Sequence, residues 1–318
     1  MSIGFASEPA WATTMAGLLC AESGGGFFTG WNMVSEKSLD KLRRQIDGID
    51  DALHDLLIQR CEVVERIGSL KDSKGTAVLS PGREAEILRR LLARHSGRYP
   101  KASLMRLWRE LIGGMLSLQG PIIIGVYMPD RGLGYLELAR DHYGSYTPMV
   151  ALRSAGQVVR AVAEGSATVG ILPMPDRENS EAWWTSLMGD SADLPRIIAR
   201  LPFAGPGPGR GDDIEALAIA RLSPEPTGYD RSWLAIETVP DVSRARLRSV
   251  LGAAGIEPTQ LAATQRADDI WVHLAEISGH VTNDDRRITR LIDRKQAVRR
   301  AVVLGGYPVP LCSEELSE

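Results

Sequence analysis

Cysteine is scarce in this chain, and its scarcity excludes two common ways of stabilising a protein. The 318 residues include three cysteines, Cys20, Cys61 and Cys312. They lie far apart and lack metal-ligand spacing, so the sequence predicts neither a disulfide scaffold nor a metal site. Unpaired cysteines suit a reducing compartment, which favours a cytoplasmic location.

Long apolar runs and a strong net charge are also missing. No apolar stretch approaches the ~20 residues that a membrane-spanning helix needs. The formal net charge of -3 gives no general basic field, so neither nucleic acid nor a membrane is an expected partner. Any site for an anion must therefore be local.

The N-terminal segment has little that predicts folded structure. Residues 1–37 are rich in glycine and serine, and they lack the positively charged start of a signal peptide. We predict a disordered extension over 1–37, or a true start at Met33.

Three different patterns follow this extension. Residues 38–120 are helical in pattern, and residues 121–238 alternate strands and helices, which is typical of an α/β domain with parallel strands. Residues 239–311 run helix, strand, strand, helix, strand, which predicts a small α+β domain, and 312–318 form a tail.

The first predicted helix has an apolar seam with one charged position. Apolar residues recur three and four apart at Leu39, Leu42, Ile46, Ile49, Leu53, Leu56, Val63, Ile67 and Leu70. Arg60 stands where the seam should also be apolar. The two short helices that follow are too short to cover this helix, so we predict that it pairs with a second copy of the chain.

The basic residues of this helix and the next predict an anion site. At about 100° per residue, Arg60 and Lys71 share a face, whereas Arg43 is turned about 100° from Arg60 and suits the partner's pocket better than that of its own chain. With Arg83 at the start of the second helix, we expect three cations aimed into a three-helix unit. Buried cations need anions, so the expected ligand is a dicarboxylate.

The third predicted helix supplies apolar packing and one polar end. Its expected buried face is made of Leu104, Leu107, Trp108, Leu111, Ile112, Met115 and Leu118, with Gln119 at the end. Taken singly, Arg60 reads as a snorkelling side chain and Glu84 as an acid favoured by the helix dipole. Together, the charged residues favour a site.

These segments resemble the all-helical class of chorismate mutase, as found at the front of bifunctional chorismate mutase-prephenate dehydratases. The resemblance covers residues 39–120 and is carried by "LRRQIDGID", "LLIQRCEVVERIGSLK", "PGREAEILRRL" and "LWRELIGGMLSLQ". It implies a helical dimer that rearranges chorismate to prephenate without a cofactor or a metal.

The resemblance also implies roles for individual residues. Arg60 corresponds to the arginine that binds a substrate carboxylate, and Lys71 to the lysine on the ether oxygen and a carboxylate. Arg43 corresponds to an arginine contributed by the partner chain. Arg83 falls at the arginine before the second helix's acid, and we include it among the substrate-binding residues.

Two more residues match the family, and two depart from it. Glu84 corresponds to the acid that receives the substrate hydroxyl, and Gln119 to the second donor to the ether oxygen. Ser80 replaces the family's usual acid, and Met115 replaces a serine that helps to bind a carboxylate. We keep Ser80 as a substrate-binding candidate and expect Met115 to weaken substrate affinity.

The remainder resembles the other two domains of those bifunctional enzymes. "AVAEGSATVGILP" and "EPTGYDRSWLAIET" resemble the prephenate dehydratase domain, which implies a two-lobed fold like type II periplasmic binding proteins. Ile214, Glu215 and Ala216 stand where that family has a catalytic Thr-Arg-Phe triplet. We therefore predict that dehydratase activity is absent, and we interpret Asn179 and Ser180 as a polar loop.

"ISGHVTND" and "VVLGGYP" resemble the regulatory ACT domain. The segments at Asp241–Arg246 and Ala262–Gln265 differ from that domain's phenylalanine-binding motifs, which argues against an aromatic amino acid effector.

Two other functions stay open from the sequence. An isochorismate pyruvate lyase uses the same helical fold and a similar cationic pocket. A non-catalytic regulatory protein could sense a small aromatic acid through the α/β region. Retention of the whole charged set favours the mutase.

Overall fold

The computed structural model describes residues 29–73, 77–129, 133–175, 182–189, 191, 193–205, 214–240, 242–266, 269–293 and 297–317, with side chains from residue 37. The chain divides into two units, Met1–Gln59 and Arg60–Glu318. In the described ranges, no helix is long and apolar enough to cross a membrane, and no cluster of side chains could hold a metal ion.

Three helices open the described chain. They are α1 (Thr29–Ser73), α2 (Pro81–Arg94) and α3 (Lys101–Leu116). The second begins with a proline, whose fixed backbone angle suits the first helical position. The prediction of a disordered extension is wrong for residues 29–37, because α1 begins at Thr29.

The buried face of α3 differs from the one that its sequence predicts. Leu107 and Leu118 are exposed, whereas Met105 and Leu116 are buried. The reason is that α3 packs against an element of the same chain that its own sequence pattern does not reveal. A side chain at Gly113 would collide with the backbone of Tyr143, so α3 packs closely against a helix of the next region.

That next region is a five-stranded lobe. Its elements are β1 (Ile124–Tyr127), α4 (Gly134–Tyr143), β2 (Met149–Leu152), α5 (Ala155–Glu164), β3 (Val169–Pro173), a 3-10 helix (Trp183–Leu187), β4 (Arg196–Leu201) and β5 (Ala216–Ala220). The strand order is β2-β1-β3-β5-β4. β1 is parallel to β2 and β3, and β5 is antiparallel to β3 and β4. The predicted α/β character is confirmed.

A second lobe is not found among the described residues of this region. The segment 174–195, which joins β3 to β4, holds the short 3-10 helix but no described strand. The described residues of this region form one lobe, and the two-lobed arrangement stays a prediction.

The last region is built from β6 (Asp230–Thr238), α6 (Arg244–Ala253), β7 (Pro258–Arg266), β8 (Trp271–Ser278), α7 (Arg286–Asp293), β9 (Val298–Pro308) and the short α8 (Ser313–Leu316). Its strand order is β9-β6-β8-β7. The order βαββαβ is that of a ferredoxin-like unit, which agrees with the predicted α+β domain.

The predicted boundary at 238/239 is wrong. β6, assigned from the sequence to the preceding domain, pairs along its whole length with β8 and β9. An alternating strand fits either sheet, and only the pairing decides between them. The boundary falls between β5 and β6.

The lobe and the last region share one sheet of nine strands. The junction is a single parallel pairing between Ile197 of β4 and Gly305 of β9. Gly305 has φ of +130°, and a side chain there would collide with the backbone of Ile197. Only glycine permits this close approach without strain.

Candidate active site

Arg60, near the end of α1, is a half-buried cation with no acid against it. Its Nη1 contacts the sulfur of Met115 on α3. A thioether is a weak acceptor and carries no charge. Burial lowers the pKa of Arg60 below its ordinary value, and no ion pair to this residue occurs among the described residues. The arrangement leaves a guanidinium that an anionic ligand would satisfy.

Lys71 follows Arg60 along α1, and its ammonium donates hydrogen bonds to two oxygen atoms. Nζ donates to the carbonyl of Val78 at 2.6 Å and to the hydroxyl of Ser80 at 3.1 Å. An ammonium has three N–H groups, so one remains for a ligand. Burial lowers the pKa of Lys71, while the nearby carboxylates of Glu84 and Glu225 act in the opposite direction.

Glu84, in the first turn of α2, is buried and paired with a residue that sequence reasoning missed. Nη1 of Arg109 on α3 donates to its Oε2 at 2.8 Å. Burial raises the pKa of the Glu84 carboxyl, and the positive charges of Arg109 and Lys71 oppose that rise. Both members of the pair are less than a tenth exposed.

A signal for Arg109 is present in the sequence. Met105, Arg109, Ile112 and Leu116 follow each other at spacings of four, three and four. Three of them are buried apolar residues and the fourth is the arginine. A cation in an apolar stripe is the same pattern that singles out Arg60 on α1.

Gln119 follows α3 and lies against α1. A side chain at Gly68 would stand 3.0 Å from the Cα of Gln119, so the glycine makes room for it. Gly68 and Lys71 are three residues apart and are therefore neighbours on the helix surface. Gln119 therefore lies beside the part of α1 that bears Lys71.

One predicted site residue, Arg83, points away from this cluster, and another, Arg43, lies in the other unit. Arg83 has 64% of its side chain exposed and pairs with Glu86 of its own helix at 3.0 Å. The expectation that it points into the helical unit is wrong for this chain, because Glu84 takes the buried face. Arg43 belongs to the other unit, where it is exposed and pairs with Asp40 at 3.3 Å.

Residues 42–120 match the protein family described as chorismate mutase type II. The chain contains a type II chorismate mutase domain.

Curated relatives extend the similarity beyond this domain. The chain is 26% identical over 153 residues to the bifunctional chorismate mutase/prephenate dehydratase of Pseudomonas aeruginosa, covering 46% of this chain and 41% of that one. It is 29% identical over 145 residues to the enzyme of the same name from Aquifex aeolicus, covering 43% and 39%. The chain therefore matches about two fifths of the length of these relatives.

A solved prephenate dehydratase from Arthrobacter aurescens is similar over 60% of this chain and 92% of that one. The identity is 12% and the TM-score is 0.44.

Outside the mutase domain, an ion network around the buried Glu276 occupies the region of the altered triplet. Arg200 of β4 donates to both carboxylate oxygens of Glu215 at 2.8 Å. Arg200 also reaches the buried Glu276 of β8 at 3.4 Å, and Arg231 of β6 donates to the same carboxylate at 2.8 Å. The hydroxyl of Tyr307 donates to it as well. These arginines are already paired with acids of the chain itself.

Two further residues of the sequence assignments can be located, and two cannot. Ile214 is exposed and Ala216 is buried, and neither side chain carries a polar group. Asn179 and Ser180 lie outside the described residues.

Proposed function

We propose that the protein is a chorismate mutase, which rearranges chorismate to prephenate. One observation carries the proposal. In the segment that matches the mutase family, the half-buried Arg60 and Lys71 form no ion pair with a carboxylate among the described residues. A buried cation without a counterion implies an anionic ligand, and chorismate carries two carboxylates.

The reaction needs orientation and charge stabilisation, since no proton transfer or covalent intermediate is involved. Arg60 binds one substrate carboxylate and so helps to hold the reactive shape. The free N–H of Lys71 and the amide of Gln119 stabilise the negative charge that develops on the breaking ether oxygen. The carboxylate of Glu84 accepts a hydrogen bond from the substrate hydroxyl. Ser80 acts through Lys71, whose ammonium it holds at 3.1 Å.

A second copy of the chain completes this proposal. The apolar seam of α1, defined above from Leu39 to Leu70, is exposed, with fractions between 42% for Ile67 and 62% for Leu70. A continuous apolar surface of this kind is typical of a protein interface. We propose that α1 pairs with α1 of another copy, which would supply Arg43 to its partner's site.

The proposed function does not include dehydratase activity. In two-lobed binding folds the ligand lies where the lobes close on it, and the described residues of this region form one lobe. Arg200 is held by Glu215 and is unavailable to a substrate carboxylate. We propose that this region is a scaffold for the mutase domain.

The test is an assay of chorismate consumption by the purified protein, with products separated before and after acid treatment. We expect prephenate, and phenylpyruvate only after acid is added. Phenylpyruvate before acid would contradict the loss of dehydratase activity. Pyruvate released from isochorismate would identify a lyase instead, and no consumption of either substrate would leave a non-catalytic sensor.

Met115 is expected to limit substrate affinity. Its sulfur contacts the guanidinium of Arg60 and offers no hydroxyl to a carboxylate. Replacing Met115 with serine should lower KM for chorismate about tenfold, because one hydrogen bond to a charged group contributes about 1.5 kcal/mol or more. Steady-state kinetics measure the change. Replacing Met115 with leucine removes the sulfur without adding a donor, and an equal gain in that variant would contradict the explanation.

A further inference from the structure

The buried pair of Glu84 and Arg109 has a feature that a purely structural ion pair does not need. Arg109 holds Oε2 of the carboxylate, and Oε1 has no hydrogen-bond donor among the described residues. The unpartnered polar atoms sealed from solvent in those residues are Nε of Arg109 and Nε1 of Trp233. Oε1 is therefore not fully sealed from solvent, although only 7% of the residue is exposed. One oxygen is held by Arg109, and the other has no donor among the described residues.

Arg109 is itself fixed by the lobe that follows the mutase domain. Its guanidinium carbon lies 4.9 Å from the centre of the Phe203 ring, a cation–π contact with the segment after β4. One turn along α3, Gly113 packs against the backbone of Tyr143 at the end of α4. The guanidinium thus lies between Glu84 and Phe203 of the lobe.

The charge of Arg109 also affects which groups the ammonium of Lys71 can bind. Lys71 is close enough to Glu84 to affect its pKa, yet it donates to Val78 and Ser80 and not to the carboxylate. A buried carboxylate needs a cation. Because Arg109 satisfies this need, Lys71 keeps an N–H group for a ligand.

We propose that Arg109 is a positioning residue of the mutase site: it holds Glu84 in place and charged, so that Oε1 receives the substrate hydroxyl and Lys71 stays free for the ether oxygen. This inference rests on the proposed mutase function. It also assigns a task to the lobe, which supports Arg109 through Phe203 and α4.

Replacing Arg109 with glutamine tests the proposal, because the amide can still bond to Glu84 but carries no charge. We expect kcat/KM for chorismate to fall about ten- to hundredfold, the range for one hydrogen bond to a charged group. Replacing Arg109 with lysine keeps the charge and should restore part of the rate. Arg106 is the matched control, since it lies three residues earlier on α3 and pairs on the surface with Asp141 at 3.1 Å. Arg106→Gln should leave the rate unchanged.

The pH profile separates positioning from simple loss of stability. Burial raises the pKa of Glu84, and Arg109 and Lys71 oppose the rise. Without the charge of Arg109, Glu84 takes up a proton at higher pH, so the acid limb of kcat/KM should move to higher pH. His142 and Tyr143, which also face the pair, stay neutral near pH 7: burial lowers the pKa of His142 and raises the pKa of Tyr143.

The outcomes are distinct. An inactive wild-type protein would overturn the proposed function and this inference with it. An active wild-type protein, with an Arg109→Gln variant whose folded fraction has normal kcat/KM and an unmoved acid limb, would overturn this inference alone. If glutamine and lysine variants lose activity only in proportion to unfolded protein, by circular dichroism, Arg109 is structural and the proposal is wrong.

Discussion

Replacing Lys71 with methionine is expected to lower kcat for the conversion of chorismate by about a hundred- to a thousandfold. Removing one donor from a site that stabilises developing negative charge typically has an effect of that size. Methionine keeps most of the apolar stem of lysine and loses the ammonium, which donates to Val78 and Ser80. The measurement is the rate of chorismate loss at saturating substrate.

The matched control for Lys71 is another lysine with an ordinary structural contact. Lys101, at the start of α3, donates to the backbone of Ser317 at 2.8 Å, and Lys101→Met should leave the rate unchanged. Circular dichroism of both variants checks that the fold is intact. If Lys71→Met keeps a rate within a factor of two of wild type, the site has been placed on the wrong residues.

Replacing Glu276 with glutamine is expected to destabilise the protein by about 3–5 kcal/mol, the usual result of removing one member of a buried ion pair. Its carboxylate is 1% exposed and accepts from both Arg231 and Arg200. Thr259 donates to the same group at 2.5 Å. An amide of the same shape leaves the guanidinium of Arg231 without a counterion. Urea unfolding followed by fluorescence measures the loss.

An exposed pair provides the comparison for Glu276. Glu86 pairs with Arg83 on the surface of α2, and exposed pairs of this kind contribute about 1 kcal/mol or less. Glu86→Gln should therefore have a small effect. Equal losses for the two variants would mean that the buried network around Glu276 stabilises the protein no more than an exposed ion pair does.

Much of the helical region could be predicted from the sequence, because helical patterns are local. The three- and four-residue spacing of apolar residues predicts a helix from Leu39 to about Asp72, and α1 ends at Ser73. Arg60 stands out because it interrupts that spacing, and Lys71 follows on the same face. Both are half-buried in the structure. The second helix begins at Pro81, two residues before Arg83, which the sequence analysis places at its start.

The strands of the last region were predicted in their correct order, but their partners were not. β7, β8 and β9 lie where alternation and turn residues indicate. β6 was given to the wrong domain, since alternation shows that a strand has a buried face and not which sheet buries it. The prediction of two lobes rests on the resemblance of short segments, and the segment between β3 and β4 has no strand among its described residues.

The sequence by itself determined which residues carry charge into apolar surroundings: Arg60 and Lys71 on α1, and Glu84 on α2. Only the tertiary structure decided which of these charges have partners. Arg83 pairs outward with Glu86, and Glu84 pairs inward with Arg109, although the two are adjacent in the chain. The physical reason is that a pair between α2 and α3 depends on how helices pack in space. That packing is set by the lobe against α3, which no local pattern in the helices records.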